Sequence, residues 1–98
     1  MGAPSTESAA IRRLIRVALT DGWNLTMVRY YDGEQIPVST EAEALTEVLA
    51  VDEAYLHFIR GDEHAWIRFV LGNEPDEVAC DYTVNLTAVD RETSTWWS

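Results

Sequence analysis

Two histidines, His57 and His64, flank the acidic pair Asp62-Glu63, and imidazole beside carboxylate is the raw material of a divalent-metal site. A zinc centre needs three or four converging ligands and a supporting hydrogen-bond shell. Two histidines at this spacing match no such signature, so no metal and no cofactor are expected. Paired carboxylates recur at Glu41/Glu43, Asp52/Glu53, Asp62/Glu63 and Asp76/Glu77. General acid–base work needs a carboxyl group held in a cleft that raises its pKa. These pairs fall in expected turns and on exposed helix faces, where water keeps them ionised. No histidine lies in a nucleophile motif, and no glycine loop is built to cradle phosphate. The expectation is a protein that is not an enzyme. The single cysteine, Cys80, excludes an internal disulfide and a cysteine zinc site, and suits a reducing, cytoplasmic setting.

Charge says more than any motif. Over 98 residues the chain carries 17 acidic against 7 basic side chains, a net charge of −10, and every base is an arginine. Such a surface repels phosphate backbones and anionic lipid and attracts basic proteins. Direct nucleic-acid binding and membrane binding are therefore not expected. No apolar run is long enough to span a bilayer, and the N-terminus does not read as a signal peptide. The opening Met1-Gly2-Ala3-Pro4-Ser5-Thr6 fits the bare myristoylation pattern, which is short enough to arise by chance. The acidity has two possible origins: a negative face made for a basic partner, or a genome or salt background that favours arginine and acid throughout.

The elements that must position these residues follow from periodicity. Ile11, Leu14, Ile15, Ala18 and Leu19 form one apolar stripe, predicting a helix over 6–20 capped by Ser5 or Thr6 and ended at Asp21-Gly22. Trp23, Leu25 and Met27 alternate with polar residues and predict a strand over 23–31. Asp32-Gly33 predicts a two-residue hairpin turn with both residues at positive φ. The return strand over 35–38 contains Pro37 and belongs at a sheet edge. Thr40-Glu41-Ala42-Glu43 is a capping box that starts a second helix over 41–51. Strands are predicted over 55–60, 65–71 and 78–82, and a short last helix over 83–91 with Leu86 and Val89 facing inward.

The resulting architecture is α+β, a single domain over 1–98 in the order αββαβββα. A five-stranded antiparallel sheet packs two helices on one face. The other face is expected to carry Thr26, Val28, Tyr30, His57 and Arg68. Residues 1–5 and 92–98 show no periodicity and are expected as flexible tails. The exception is Trp96-Trp97, which either folds back over the core or forms a binding hot spot.

The stretch Gly72-Asn73-Glu74-Pro75-Asp76-Glu77-Val78-Ala79-Cys80-Asp81-Tyr82-Thr83 resembles one found in small acidic proteins of phages, plasmids and integrated elements. Their helix ending in Asp-Gly-Trp is similar to Thr20-Asp21-Gly22-Trp23, and the resemblance covers about residues 8–90. It implies a mobile-element setting and carries over no functional residue. Small acidic proteins in that setting include inhibitors of host defence and DNA mimics. By size and charge, anti-CRISPR proteins are the nearest functional class. The leading expectation is a non-enzymatic acidic binding protein that inhibits a nucleic-acid-binding complex by presenting Glu41, Glu43, Glu47, Asp52, Glu53, Asp62 and Glu63, with Trp96 and Trp97, to a basic protein surface. The alternative is a structural or interaction module, homodimeric through a sheet edge, whose acidity is background.

Overall fold

A computed structural model of the chain describes residues 2–96. Helix α1 (Glu7–Thr20) leads into strands β1 (Asn24–Tyr30) and β2 (Gln35–Pro37). Helix α2 (Glu41–Leu49) is followed by β3 (Glu53–Arg60), β4 (Glu63–Val70), a 3-10 turn at Pro75–Glu77, β5 (Ala79–Tyr82) and α3 (Thr87–Trp96). The strands form one antiparallel sheet in the order β2-β1-β3-β4-β5, as the α+β reading predicts. Strands β2 and β3 flank β1 and run the same way, so the chain must return across the sheet between them. Helix α2 makes that crossing and packs on β1 and β3.

The helices lie together on one face. Ile11, Leu14 and Ile15 of α1, Ala44 and Val48 of α2, and Leu86 and Val89 at α3 bury against Val28, Leu56, Phe58, Ile67 and Phe69 of the sheet. Each fully buried side chain of this size contributes about 1.5–3 kcal/mol. Local signals in the sequence hold. Thr6 caps α1, accepting from Ala9 N–H at 3.1 Å. At α2, Thr40 Oγ1 accepts from Glu43 N–H at 3.1 Å while Glu43 Oε1 accepts from Thr40 N–H at 3.2 Å. Gly22 takes φ +89° after α1, the left-handed position that suits glycine. Trp23 then buries beneath the Arg60 guanidinium, 4.3 Å from its ring centroid.

Four expectations change. First, the hairpin turn is a three-residue loop: Tyr30 N–H donates to Glu34 O at 2.8 Å, and only Gly33 has positive φ. Asp32 keeps an ordinary φ because its Oδ1 accepts from Glu34 N–H at 3.0 Å and stabilises the turn that way.

Second, β1 contains a bulge. Leu25 pairs with Phe58 but Met27 pairs with the next residue back, His57, which leaves Thr26 as the extra residue. Alternation is reset, so Val28 and Tyr30 face the helices and Met27 faces outward. Thr26, His57 and Arg68 stay on the outer face as expected.

Third, α3 begins four residues later than expected, after a turn closed by Leu86 N–H to Thr83 O at 3.1 Å.

Fourth, residues 92–96 are not a tail. Val89, Thr93 and Trp96 continue one buried stripe of α3. The stripe is hidden in the sequence because Thr93 is polar; its hydroxyl lies 2.9 Å from Tyr82 Oη and donates to Asp90 O at 3.1 Å. Trp96 is 5% exposed, with Nε1–H donating to Glu92 Oε2 at 3.0 Å. It is core, not a hot spot; Trp97 lies outside the described residues. At the other end Ala3 packs against the core, so the lead-in is anchored too.

Thr40→Ala should lose about 1 kcal/mol, because the Glu43 N–H is left without its hydroxyl acceptor. Equal urea midpoints for mutant and parent would show that the cap contributes nothing. Trp96→Ala should cost about 3 kcal/mol, as cavity-forming changes at buried tryptophan do. A loss below a few tenths of that, by the same urea titration, would return residues 92–96 to the status of a tail.

Candidate functional site

The acids singled out in the sequence do not form one face. Asp52 and Glu53 lie at the start of β3, whereas Asp62 in the β3–β4 turn and Glu63 at the start of β4 lie at its far end, and the strand between them is eight residues long. Most of these acids are also engaged inside the molecule. Glu41 accepts a fork from Arg16 (2.7 and 3.2 Å) and lies 3.8 Å from Arg12, tying α1 to α2. Glu43 is consumed by the capping box, and the N–H and hydroxyl groups of Ser39 and Thr40 hold its carboxyl below the usual carboxylate range. Glu47 accepts from Tyr30 Oη–H. Glu53 pairs with Arg68 at 2.9 Å and Glu63 with Arg60 at 3.2 Å. Of these acids only Asp52 and Asp62 are exposed and have neither an ion pair nor a side-chain hydrogen bond among the described residues.

The acid does segregate, but to one end of the sheet. The β1–β2 loop, the α2–β3 connection and the β4–β5 connection meet there: Leu71 N–H donates to Asp52 O at 2.8 Å and Gly72 N–H to Glu7 Oε2 at 2.8 Å. Glu7, Asp32, Glu34, Glu47, Asp52 and Glu53 gather at this end with Glu74, Asp76 and Glu77, more than half of the 17 acidic side chains. The neighbouring cations are Arg29 and Arg68, each within two residues of a strand end, and Arg68 is already paired with Glu53. Tyr31, 84% exposed in the β1–β2 loop, lines a hollow at this end together with Tyr30, Asp32, Val51, Asp52 and Glu53. Sequence reading missed this assembly because it joins three loops far apart in the chain. The run Tyr30-Tyr31-Asp32, an aromatic placed in a hairpin tip, was the one available signal.

The second distinctive surface is the sheet face that no helix covers. Arg29 sits over the rings of Tyr55 and Trp66, 5.2 and 5.4 Å from their centroids, and those two rings meet edge to face at 6.4 Å. Trp66 also packs on His57 at 4.3 Å. His57 is 6% exposed and both its ring nitrogens are engaged. Thr26 Oγ1 hydrogen-bonds His57 Nδ1 and lies 3.4 Å from His57 O. His57 Nε2 and His64 Nδ1 share a hydrogen bond at 3.0 Å. Burial, and then the charge of His64, push the His57 pKa down. Neither Asp62 nor Glu63 joins the pair, and among the described residues no three metal-ligating side chains converge. Also among them, no helix is long and apolar enough to cross a membrane. Cys80 is exposed on β5.

No protein-family model matches this chain, and no curated protein or solved structure is detectably similar to it. What the geometry defines is an α+β domain with an acidic sheet end and one open, aromatic sheet face.

The Tyr30–Glu47 contact, which fastens α2 to the acidic end, gives a pH signature. The hydrogen bond to Glu47, burial and the nearby acids push Tyr30 up to about 12. In the unfolded chain the phenol ionises near 10. The folded state therefore favours the neutral form; stability from this contact is constant below about pH 10 and is lost between about pH 10 and 12. Phenolate absorbance should show one tyrosine titrating near the upper end of that window, moving down in Glu47→Gln. A titration that Glu47→Gln leaves unchanged would remove Glu47 as the cause.

Proposed function

We propose that this protein is an acidic binding module, without a catalytic step of its own, that engages a lysine- and arginine-rich protein surface through the acidic end of its sheet. The observation that carries the proposal is the gathering of more than half of the acidic side chains at one end of the sheet, beside one protruding tyrosine. Carboxylates steer a basic partner into contact and fix its orientation. A desolvated tyrosine is among the side chains that dominate interface energies. Tyr31 supplies the anchor, and Asp32, Asp52 and Glu74 supply a field that no internal arginine cancels. In the mobile-element setting that the resemblance implies, the basic surface belongs to a nucleic-acid-binding host-defence complex, and the module acts as an inhibitor by occupying it in place of nucleic acid.

Of the acids that the sequence suggested, only Asp52 is kept for the test. Reversing Glu43 or Glu47 removes a cap or the Tyr30 contact, so a loss of binding there would report on folding. Glu34, Asp52 and Glu74 are exposed, whereas the Asp32 carboxylate holds the hairpin turn and is left in place. The triple variant Glu34→Lys, Asp52→Lys, Glu74→Lys should keep the parent's circular dichroism and melting behaviour, since exposed charges contribute little to stability. It should lose capture of basic proteins from host lysate, and Tyr31→Ala should weaken that capture. The parent's capture should also fall steeply with salt, because exposed charges are screened beyond about 8 Å at physiological ionic strength. If the triple variant retains the same proteins at the same salt, the acidity is background and the proposal is wrong.

A further inference from the structure

We infer that His57 and His64 form an acid-operated latch on the β1 bulge. The latch is closed while the pair carries at most one positive charge. A second proton opens it, frees Thr26 and loosens β1 as far as Tyr30.

His57 stands on the sheet face that no helix covers, yet it is only 6% exposed. Its neighbours seal it. Trp66, directly opposite on β4, packs on the ring at 4.3 Å. Thr26 Oγ1 holds Nδ1 from the β1 side. His64, two residues before Trp66, meets Nε2 on the diagonal at 3.0 Å.

Counting protons shows what this arrangement tolerates. A neutral imidazole has one N–H and one lone pair, so the facing nitrogens of His57 and His64 share a single hydrogen. One added proton keeps that bond, because a cationic ring still has a neutral ring to donate to. Two added protons remove it. Both nitrogens of an imidazolium are donors, so the 3.0 Å gap would hold two hydrogens and no lone pair. The count is the same for either tautomer of the neutral pair. His64 is exposed and keeps its charge hydrated. The second charge therefore falls on the buried ring, where desolvation opposes it.

The surroundings do not offset that charge. From β1 the ring meets Thr26 and, beyond Met27, Arg29; from β4 it meets Trp66 and His64, with Arg68 further along; Tyr55 lies two residues away on its own strand. Glu53 is engaged by Arg68 and Glu63 by Arg60, Asp81 sits opposite Arg68, and Asp62 stays in the β3–β4 turn. Among the described residues no carboxylate is bonded to either imidazole.

Much hangs on Thr26. It is the extra residue of the bulge, and its carbonyl accepts from Val38 N–H at 3.0 Å, so β2 is fastened at the same point. The bulge sets which way Val28 and Tyr30 face, and Tyr30 holds Glu47. Once His57 leaves the Thr26 hydroxyl, the bulge loses the contact that compensates it, and the register beyond it is weakly specified. The latch does not depend on the partner proposed above.

Burial, and then the charge of His64, lower the His57 pKa from the ordinary 6.5. The unfolded chain therefore takes a proton at His57 before the folded chain does. The stability that neutral His57 supplies is complete above about pH 6.5 and declines as the pH falls from there to the folded value. NMR of the two imidazoles in the full chain should resolve two proton steps, the lower one belonging to His57. Amide exchange followed alongside should show Val38 and Tyr30 losing at least about tenfold in protection through the lower step, while Leu14 and Ile15 of α1 keep theirs, as a local opening requires. His64→Gln, a change at an exposed side chain, removes the neighbouring charge. His57 should then titrate higher, and the loss of protection should move with it. Three results would overturn the inference: histidines that titrate together at the ordinary value, protection at Val38 and Tyr30 that falls only when that of Leu14 and Ile15 falls, or a His57 titration that His64→Gln leaves in place.

Discussion

Thr26 decides what the two sides of this sheet are made of. As the extra residue of a bulge, it turns every later residue of β1 over. Without it Val28 would leave the core and Met27 would enter it. Tyr30 would point away from α2, and Glu47 would lose the phenol that anchors the helix beside the acidic end. A bulge interrupts a ladder, and this one is compensated on the spot: the Thr26 hydroxyl engages His57 across the strand pair. One side chain thus fixes the register of β1, the ring orientation of His57 and, through Tyr30, the seat of α2.

Electrostatics is organised by a shortage of cations. The seven arginines are spent mostly on joining elements: Arg16 and Arg12 hold α1 to α2, Arg13 reaches Glu92 on α3 at 3.5 Å, Arg60 bridges Asp21 and Glu63, and Arg68 meets Glu53 across β3 and β4. Each exposed pair contributes little alone. Together they sort the acids into those that belong to the fold and those left over. The leftover acids collect where three connections converge, because loops are where a small domain keeps side chains that the core cannot use. The same few cations thus make the scaffold and, by their absence, the acidic end.

The fold was largely legible. Two apolar stripes, a capping box and three strand pairs with their turns are local signals, and α2, β3 and β4 followed from them. What stayed hidden depended on contacts across the chain. Val28 and Tyr30 gave no sign of facing inward, since the bulge that turns them is set by His57, 31 residues away. The last turns of α3 were missed because Thr93 breaks the apolar pattern, and only Tyr82 makes its burial tolerable. For the site, counting acids found Asp52 but also Glu41, Glu43 and Glu63, which the fold consumes. Tyr31 was passed over as a strand end. Sequence gives the number of carboxylates; which of them are spare depends on where the arginines reach.

The arginine ion pairs carry a further consequence for regulation. A lysine-held scaffold can be loosened by acetylation, which erases one charge at a time. Here no side-chain amine is available to acylating enzymes or to isopeptide tagging, and guanidinium keeps its proton at any pH a cell reaches. The joints that these arginines make are therefore closed to lysine-directed marks. Covalent control of these joints would have to act on guanidinium, or on hydroxyls beside them, instead of on an amine.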